Sequence, residues 1–190
     1  MKKINIKETI EIVCRFYVFF FLAAYGLGKA IGGQFYTPDL IPTHIESMPI
    51  KQIPNFELAW VFMGRSYGYV LFIGVCQIVG ATLLLFNRTK LIGTLILIPI
   101  MVNVIVFDIF FLDKYGALAS AILYLLMLIV ILYINKPKII NVIKTLTHFD
   151  GTQKTSIKEK IIKYSYVLII ILAVFVINQL IVSWLGYGKG

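Results

Sequence analysis

Five side chains in this sequence stand where an apolar chain would be expected to exclude them. Arg15 and Lys29 interrupt the first apolar run, Gln77 lies inside the second, and Asn103 and Asp108 lie inside the third. Charged and amide groups at membrane depth are costly to desolvate, so they persist where they pair with something or bind something. At about 100° per residue, Glu8, Glu11, Leu22, Gly26 and Lys29 all fall within about 40° of Arg15. One face of the first helix therefore carries every charge of the segment plus a glycine. Glu11 is four residues before Arg15 and can pair with it; Glu8 lies one turn further back. Two readings stay open: this face turns toward a polar interior, or its ends snorkel to the two membrane surfaces around a local ion pair.

In the second run, Gly74, Gln77 and Ala81 share a face, where small residues allow close helix approach and an amide can bond across the interface. In the third, Pro99 and Asn103 are four residues apart. The proline leaves the Leu95 carbonyl without its usual donor, and the amide can bond a neighbouring helix or line a cavity beside a broken helix. Asp108 sits near the end of that run, at the depth of Lys29 and Arg65, either of which can pair with it. These positions suggest a partner- or ligand-facing site made of Lys29, Asp108 and a proline-rich loop bearing Trp60, with Gln77 and Asn103 below. The competing reading is a structural ion pair under a packed loop. No catalytic or metal-binding residue is assigned. His44 and His148 fall on opposite sides of the membrane, so they cannot build a haem pair or a metal cluster. Cys14 and Cys76 form no C-x-x-C and read as buried thiols. There is no phosphate-binding loop, nucleophile elbow or helical H-E-x-x-H. The chain is expected to have no catalytic activity on its own and to bind no cofactor of its own.

The elements that must position these residues are membrane helices. In 190 residues, 59% belong to the hydrophobic set, 14% are charged, and the mean hydropathy is +0.89. These values exclude a soluble globular enzyme, a disordered tail and a disulfide scaffold. The formal charge of +9 reads as topology-setting and lipid-facing, and no nucleic acid is expected as partner. The sequence predicts an all-α, polytopic transmembrane bundle, a single integral membrane domain over residues 1–190. Its spans are 10–30, 67–86, 91–112, 115–134 and 164–187. The first is read as a retained helix rather than a cleaved signal, because Glu8, Glu11 and Arg15 break the signal pattern. Alternating the spans places twelve basic residues on one side and four on the other, so the N-terminus is expected in the cytoplasm and the C-terminus outside. The connection 31–66 has four prolines yet many apolar residues, among them Phe35, Leu40, Ile45, Met48 and Ile50. It is expected to pack over the outer end of the bundle, with a short helix, 56–63, capped by Asn55. The basic cytoplasmic connection 135–163 is expected to hold a short helix on the inner leaflet after Pro137, a turn at 150–155, and a Ser156-x-x-Glu159 capping box opening the last helix.

The segments YGLGKAIGGQF (with Gly26, Lys29 and Phe35), ELAWVFMGRSYGY, and GVCQIVGATLLLFNRTKLIGTLILIPIMVNV (with Gln77, Gly80, Arg88, Gly93, Pro99 and Asn103), preceded by Arg15, resemble the DoxX-like family of small bacterial membrane proteins. The resemblance covers residues 15–134, about two thirds of the chain. It implies a four-helix core, to which this chain adds a fifth, C-terminal span and a long basic loop, and residence in the bacterial cytoplasmic (inner) membrane. It brings no set of catalytic residues; Arg15, Lys29, Gln77 and Asn103 match its polar pattern. Some members are described as a small subunit of a quinol-oxidising complex, others with membrane redox partners, and distant relatives as cargo receptors or assembly helpers. The expected role is an accessory or assembly subunit of a membrane complex, with the lipid bilayer and another membrane protein as partners. A quinol- or redox-linked subunit, the one reading that brings in a quinone, and a small-molecule carrier using the Arg15–Lys29 face are the alternatives.

Overall fold

The computed structural model describes residues 5–112, 115–148 and 156–185. Lys2, Lys3, Lys114, Lys154 and Lys189, the expected turn at 150–155 and the last two residues of the expected span 164–187 lie outside them. The described residues are helical, without strands. The chain divides into two compact units, Met1–Val142 and Ile143–Gly190. Five helices are long and apolar enough to cross a membrane, and the protein is a multi-pass membrane protein.

In the first unit, α1 (Ile6–Ala30) is followed by the long connection with its short α2 (Thr43–Glu46) and α3 (Asn55–Gly64). Then come α4 (Tyr67–Leu84), α5 (Lys90–Phe111) and α6 (Tyr115–Ile134). Helix α1 packs on α4 and α6, α4 on α5, and α5 on α6. The four long helices thus close a ring in chain order. Asn5 starts α1 by accepting the Lys7 amide, and Ser66 starts α4 by accepting the Tyr69 amide. Both satisfy donors that a helix start leaves open. At the core, Val18 and Leu22 of α1 meet Ala81 and Leu84 of α4, Leu97 and Met101 of α5, and Leu128 and Ile131 of α6.

Two glycine contacts set the spacing of the ring. A Cβ on Gly26 would stand 2.8 Å from the Gly74 carbonyl oxygen, and one on Gly74 equally close to the Gly26 oxygen. Likewise a Cβ on Gly93 would press on the Gly80 carbonyl oxygen. Helices α1 and α4, and α4 and α5, therefore meet backbone to backbone, as small residues permit. Helix α5 runs unbroken through Pro99, so of the two readings of that span the broken helix does not occur.

The connection 31–66 is ordered by its prolines. Pro38 opens one 3-10 turn, Pro49 precedes another, and Pro42 and Pro54 precede α2 and α3. Their fixed φ suits a helix start. Helix α3 begins at Asn55 itself and has no side-chain cap, so the expected capping role for Asn55 is corrected: Pro54 holds that place. α3 rests on α4 and α5, and Gly64 lets it abut the Tyr36 carbonyl. Ile45 is buried, whereas Leu40, Met48 and Ile50 face outward. The loop covers the bundle with only part of its apolar set.

Two helices follow. α7 (Lys136–Thr147) carries Pro137 in its first turn, where a missing N–H costs nothing. The break before it is Asn135, whose side-chain amide donates to the Ile131 carbonyl at 2.9 Å. α8 (Ile157–Leu185) starts with one half of the expected capping box, the Ser156 amide donating to the Glu159 carboxylate at 3.0 Å. It begins earlier than the apolar run alone indicates, because the basic turns around Lys158 and Lys160 continue the same helix.

Candidate functional site

The buried residues of α1 are Glu11, Cys14, Arg15, Val18, Leu22, Gly26 and Lys29. This is the face that the angular arithmetic picks out, less Glu8, which is exposed. It turns into the bundle and carries charge at both ends, where two different environments meet it.

At the end where α1 starts, Arg15 reaches across to the end of α4. Its Nε donates to the Leu84 carbonyl at 2.6 Å and its Nη2 to the Leu85 carbonyl at 2.7 Å. Its Nη1 donates to Asn87 Oδ1 at 2.6 Å. These are the carbonyls that a helix C-terminus leaves without donors, and a cation also suits that end of the helix dipole. Glu11 Oε1 lies 3.8 Å from Arg15 Nη1 and accepts from Lys90 Nζ. The i, i+4 pair therefore exists, and Glu11 rather than Glu8 makes it. Lys90 lies one residue before the expected span 91–112, in the short connection after 67–86. Its own helix shows why it is buried: Lys90, Gly93, Leu97 and Met101 share a stripe at three- and four-residue spacing. The whole cluster ties α1, α4 and α5 together.

At the other end, where the connection 31–66 closes over the bundle, the helices stand apart around a cavity of about 260 Å³. Each helix gives one stripe: Leu22, Tyr25 and Lys29 from α1; Gln77 from α4; Met101, Val104 and Asp108 from α5; Ala117, Ser120, Ala121 and Tyr124 from α6. Gln34, Phe56 and Trp60 come from the loop above. Trp60 stacks on Phe56 with ring centroids 4.1 Å apart and meets Phe35 edge-on at 5.3 Å. This aromatic group forms a firm cover. Tyr67 fastens the rim, its hydroxyl donating to the Ala30 carbonyl at the end of α1 at 2.7 Å.

The polar groups of this cavity are incompletely partnered. Lys29 and Asp108 are each 6% exposed and Gln77 is 2% exposed. The Lys29 ammonium lies 6.0 Å from the centre of the Tyr25 ring, at the edge of cation–π range. Lys29 and Asp108 feel each other's charge, yet among the described residues the only salt bridges are those of Glu11. The buried oxygens Gln34 Oε1 and Gln77 Oε1 have no hydrogen-bond partner. Nearly all buried polar atoms do find one, so two such carbonyls on residues that line one cavity are unusual.

Of the residues singled out in the sequence, the structure thus brings Lys29, Gln77, Asp108 and Trp60 around one space. It sets Arg15 and Glu11 at the opposite end, and leaves Arg65 exposed at the end of α3. Asn103 is corrected: it is exposed on the outer side of α5 and does not line the cavity. It lies about 200° around the helix from Met101, whose stripe faces inward. Gln34, Tyr25, Ser120 and Tyr124 were not singled out. The signal for the α6 pair was there, in polar residues four apart in a helix without charges.

The uncharacterized protein YwoB of Bacillus subtilis (strain 168) is 31% identical to this chain over 141 residues, which are 73% of this chain and 85% of that protein. No family model matches the chain, and no solved structure matches it.

Proposed function

The chain belongs to the same family as the uncharacterized YwoB protein, and we propose that it binds a small molecule in the cavity at the loop end of its four-helix bundle. The observation that carries this reading is a buried lysine and a buried aspartate, Lys29 and Asp108, that line one cavity without a salt bridge between them, beside the side-chain amides of Gln34 and Gln77. A ligand that pairs with these charges removes a cost the protein otherwise bears. The reading includes the bacterial cytoplasmic membrane as the location, with the N-terminus inside and the C-terminus outside. The twelve-to-four segregation of basic residues supports that orientation, and it puts the cavity at the external face. A DoxX-like kinship is part of the reading too, supported by the four-helix ring with its appended fifth apolar helix.

The test is extraction of the protein from native membranes into lipid nanodiscs, followed by mass spectrometry of the small molecules it retains. Ala121→Phe and Ala117→Phe each fill the cavity from α6. Both should retain less of a specific molecule at equal protein abundance and equal thermal stability. A wild-type protein that retains nothing beyond bulk lipid defeats the reading.

A second reading, as an accessory subunit of a membrane complex, is favoured by Asn103. Its amide sits on the outer side of the bundle within a membrane-spanning helix, where hydrocarbon offers it no partner and a neighbouring helix would. A photo-crosslinker at Asn103 should capture another membrane protein. Capture of lipid alone would remove the ground for this reading.

A further inference from the structure

We infer that the ligand of the loop-end cavity is a small zwitterion with a compact apolar side group, of the α-amino-acid type. The inference rests on the proposed ligand-binding reading and names its chemistry.

The charge balance of the walls is the first ground. They hold one cation, Lys29, and one anion, Asp108, both more than nine-tenths buried and joined by no salt bridge. A ligand with a single charge would answer one of them and leave the site with a net charge in a poorly solvated space, which is strongly unfavourable. A ligand carrying both signs answers each. The second ground is the hydrogen-bonding capacity of the walls. The Asp108 carboxylate offers two acceptor oxygens, and the side-chain amides of Gln34 and Gln77 can both donate and accept. Asp108 therefore asks for donors. A primary ammonium offers three of them on one atom, while a carboxylate on the same ligand gives Lys29 its counter-charge. The third ground is the remaining surface. Leu22, Met101, Val104 and the Phe56–Trp60 stack leave an apolar wall beside the polar groups. That wall suits a short aliphatic or aromatic side group, and about 260 Å³ limits it to a small one. A neutral polyol would bond the glutamine amides, but it would bring neither Lys29 nor Asp108 an opposite charge in direct contact.

The experiment uses Trp60 as the reporter. Trp184→Phe removes the other tryptophan, which is exposed on α8. The protein in nanodiscs is titrated with L-leucine, with the cation leucinamide, with the anion N-acetyl-leucine and with the neutral alcohol 4-methylpentanol, reading Trp60 emission and thermal midpoint. L-leucine should shift both, and each singly charged analogue should bind about ten- to a hundredfold more weakly, as expected for loss of a charged hydrogen bond. Lys29→Met should turn the preference toward leucinamide, and Asp108→Asn toward N-acetyl-leucine. A residue that only held the fold would not reverse a preference. The double variant restores neutrality and guards against a single variant that fails to fold; it should favour the alcohol. Equal binding of all four probes, or preference for the alcohol by the wild type, overturns the zwitterion assignment and leaves the cavity reading standing. Silence toward all four also overturns it, and the nanodisc extraction then decides the cavity reading separately.

Discussion

The two ends of α1 hold charges at nearly the same depth of burial, with Glu11 at 7%, Arg15 at 4% and Lys29 at 6% exposure. Around Arg15 the guanidinium has three hydrogen bonds and a carboxylate, and that carboxylate also takes Lys90. Around Lys29 the groups face a cavity, and two carbonyl oxygens have no donor. Burial is therefore not what distinguishes the two polar clusters of this bundle. The state of the partners does: the groups at one end are satisfied and hold helices together, and those around the cavity are not, which is what the proposed binding role rests on.

The comparison can be broken most directly at the satisfied end. Arg15→Met should cost about 3–5 kcal/mol, because it leaves the Leu84 and Leu85 carbonyls and Asn87 Oδ1 without their donor, while Glu11 keeps Lys90. Reversible unfolding in mixed micelles measures this, and a loss within about 1 kcal/mol would mean that water already screens the cluster. A double-mutant cycle with Glu11→Gln should show coupling, since Glu11 serves two cations.

Next in size is the contact between the ends. Gly74→Leu should cost about 1–3 kcal/mol by overpacking, because its Cβ would meet the Gly26 carbonyl at 2.8 Å and Lys29 Cβ at 3.0 Å. The damage should reach the loop end first, seen as faster hydrogen exchange near Lys29 while the amides around Leu84 stay protected. Uniform loss of protection along α1 would contradict the separation of the two clusters.

Gln77→Leu should act with the opposite sign. It removes a buried carbonyl without a partner, and should raise stability by about 1 kcal/mol while lowering the amount of retained small molecule. Loss of stability and ligand together would make Gln77 structural glue. The smallest effect belongs to Asn103→Leu, within about 0.5 kcal/mol on its outward face. Its readout is recovery of partner proteins, with retention of the cavity ligand unchanged.

Much of this was legible in the residues. The apolar lengths mark all five helices, and the 100° step marks the inward face of α1 because that face carries charge that hydrocarbon would reject. Lys29, Asp108, Gln77 and Trp60 could be brought together because the alternation of spans sets their depth. Depth does not set rotation, and α5 is apolar nearly all round, so nothing in its own sequence turned Asn103 outward. That choice comes from the Gly93 contact with α4, which fixes which stripe faces in. Lys90 escapes sequence reading for a related reason: a cation beside Arg88 in a short connection looks solvated until the carboxylate of Glu11, about eighty positions earlier, is seen opposite it. Gln34 belongs to a loop without periodicity, so no rule of spacing applied to it.

The span of the Arg15 cluster along the chain also bears on how the protein is made. The acceptors of Arg15 lie 69 to 72 residues downstream, and the second cation of Glu11 lies 79 downstream. At a synthesis rate of roughly 5–20 residues per second, α1 leaves the ribosome some 4–16 s before they exist. Through that interval the charged groups within reach of Arg15 and Glu11 are those of α1 itself, one another included, one helical turn apart. The pair within α1 is thus a contact available to the nascent helix, and the bonds across the bundle form only once α4 and α5 arrive.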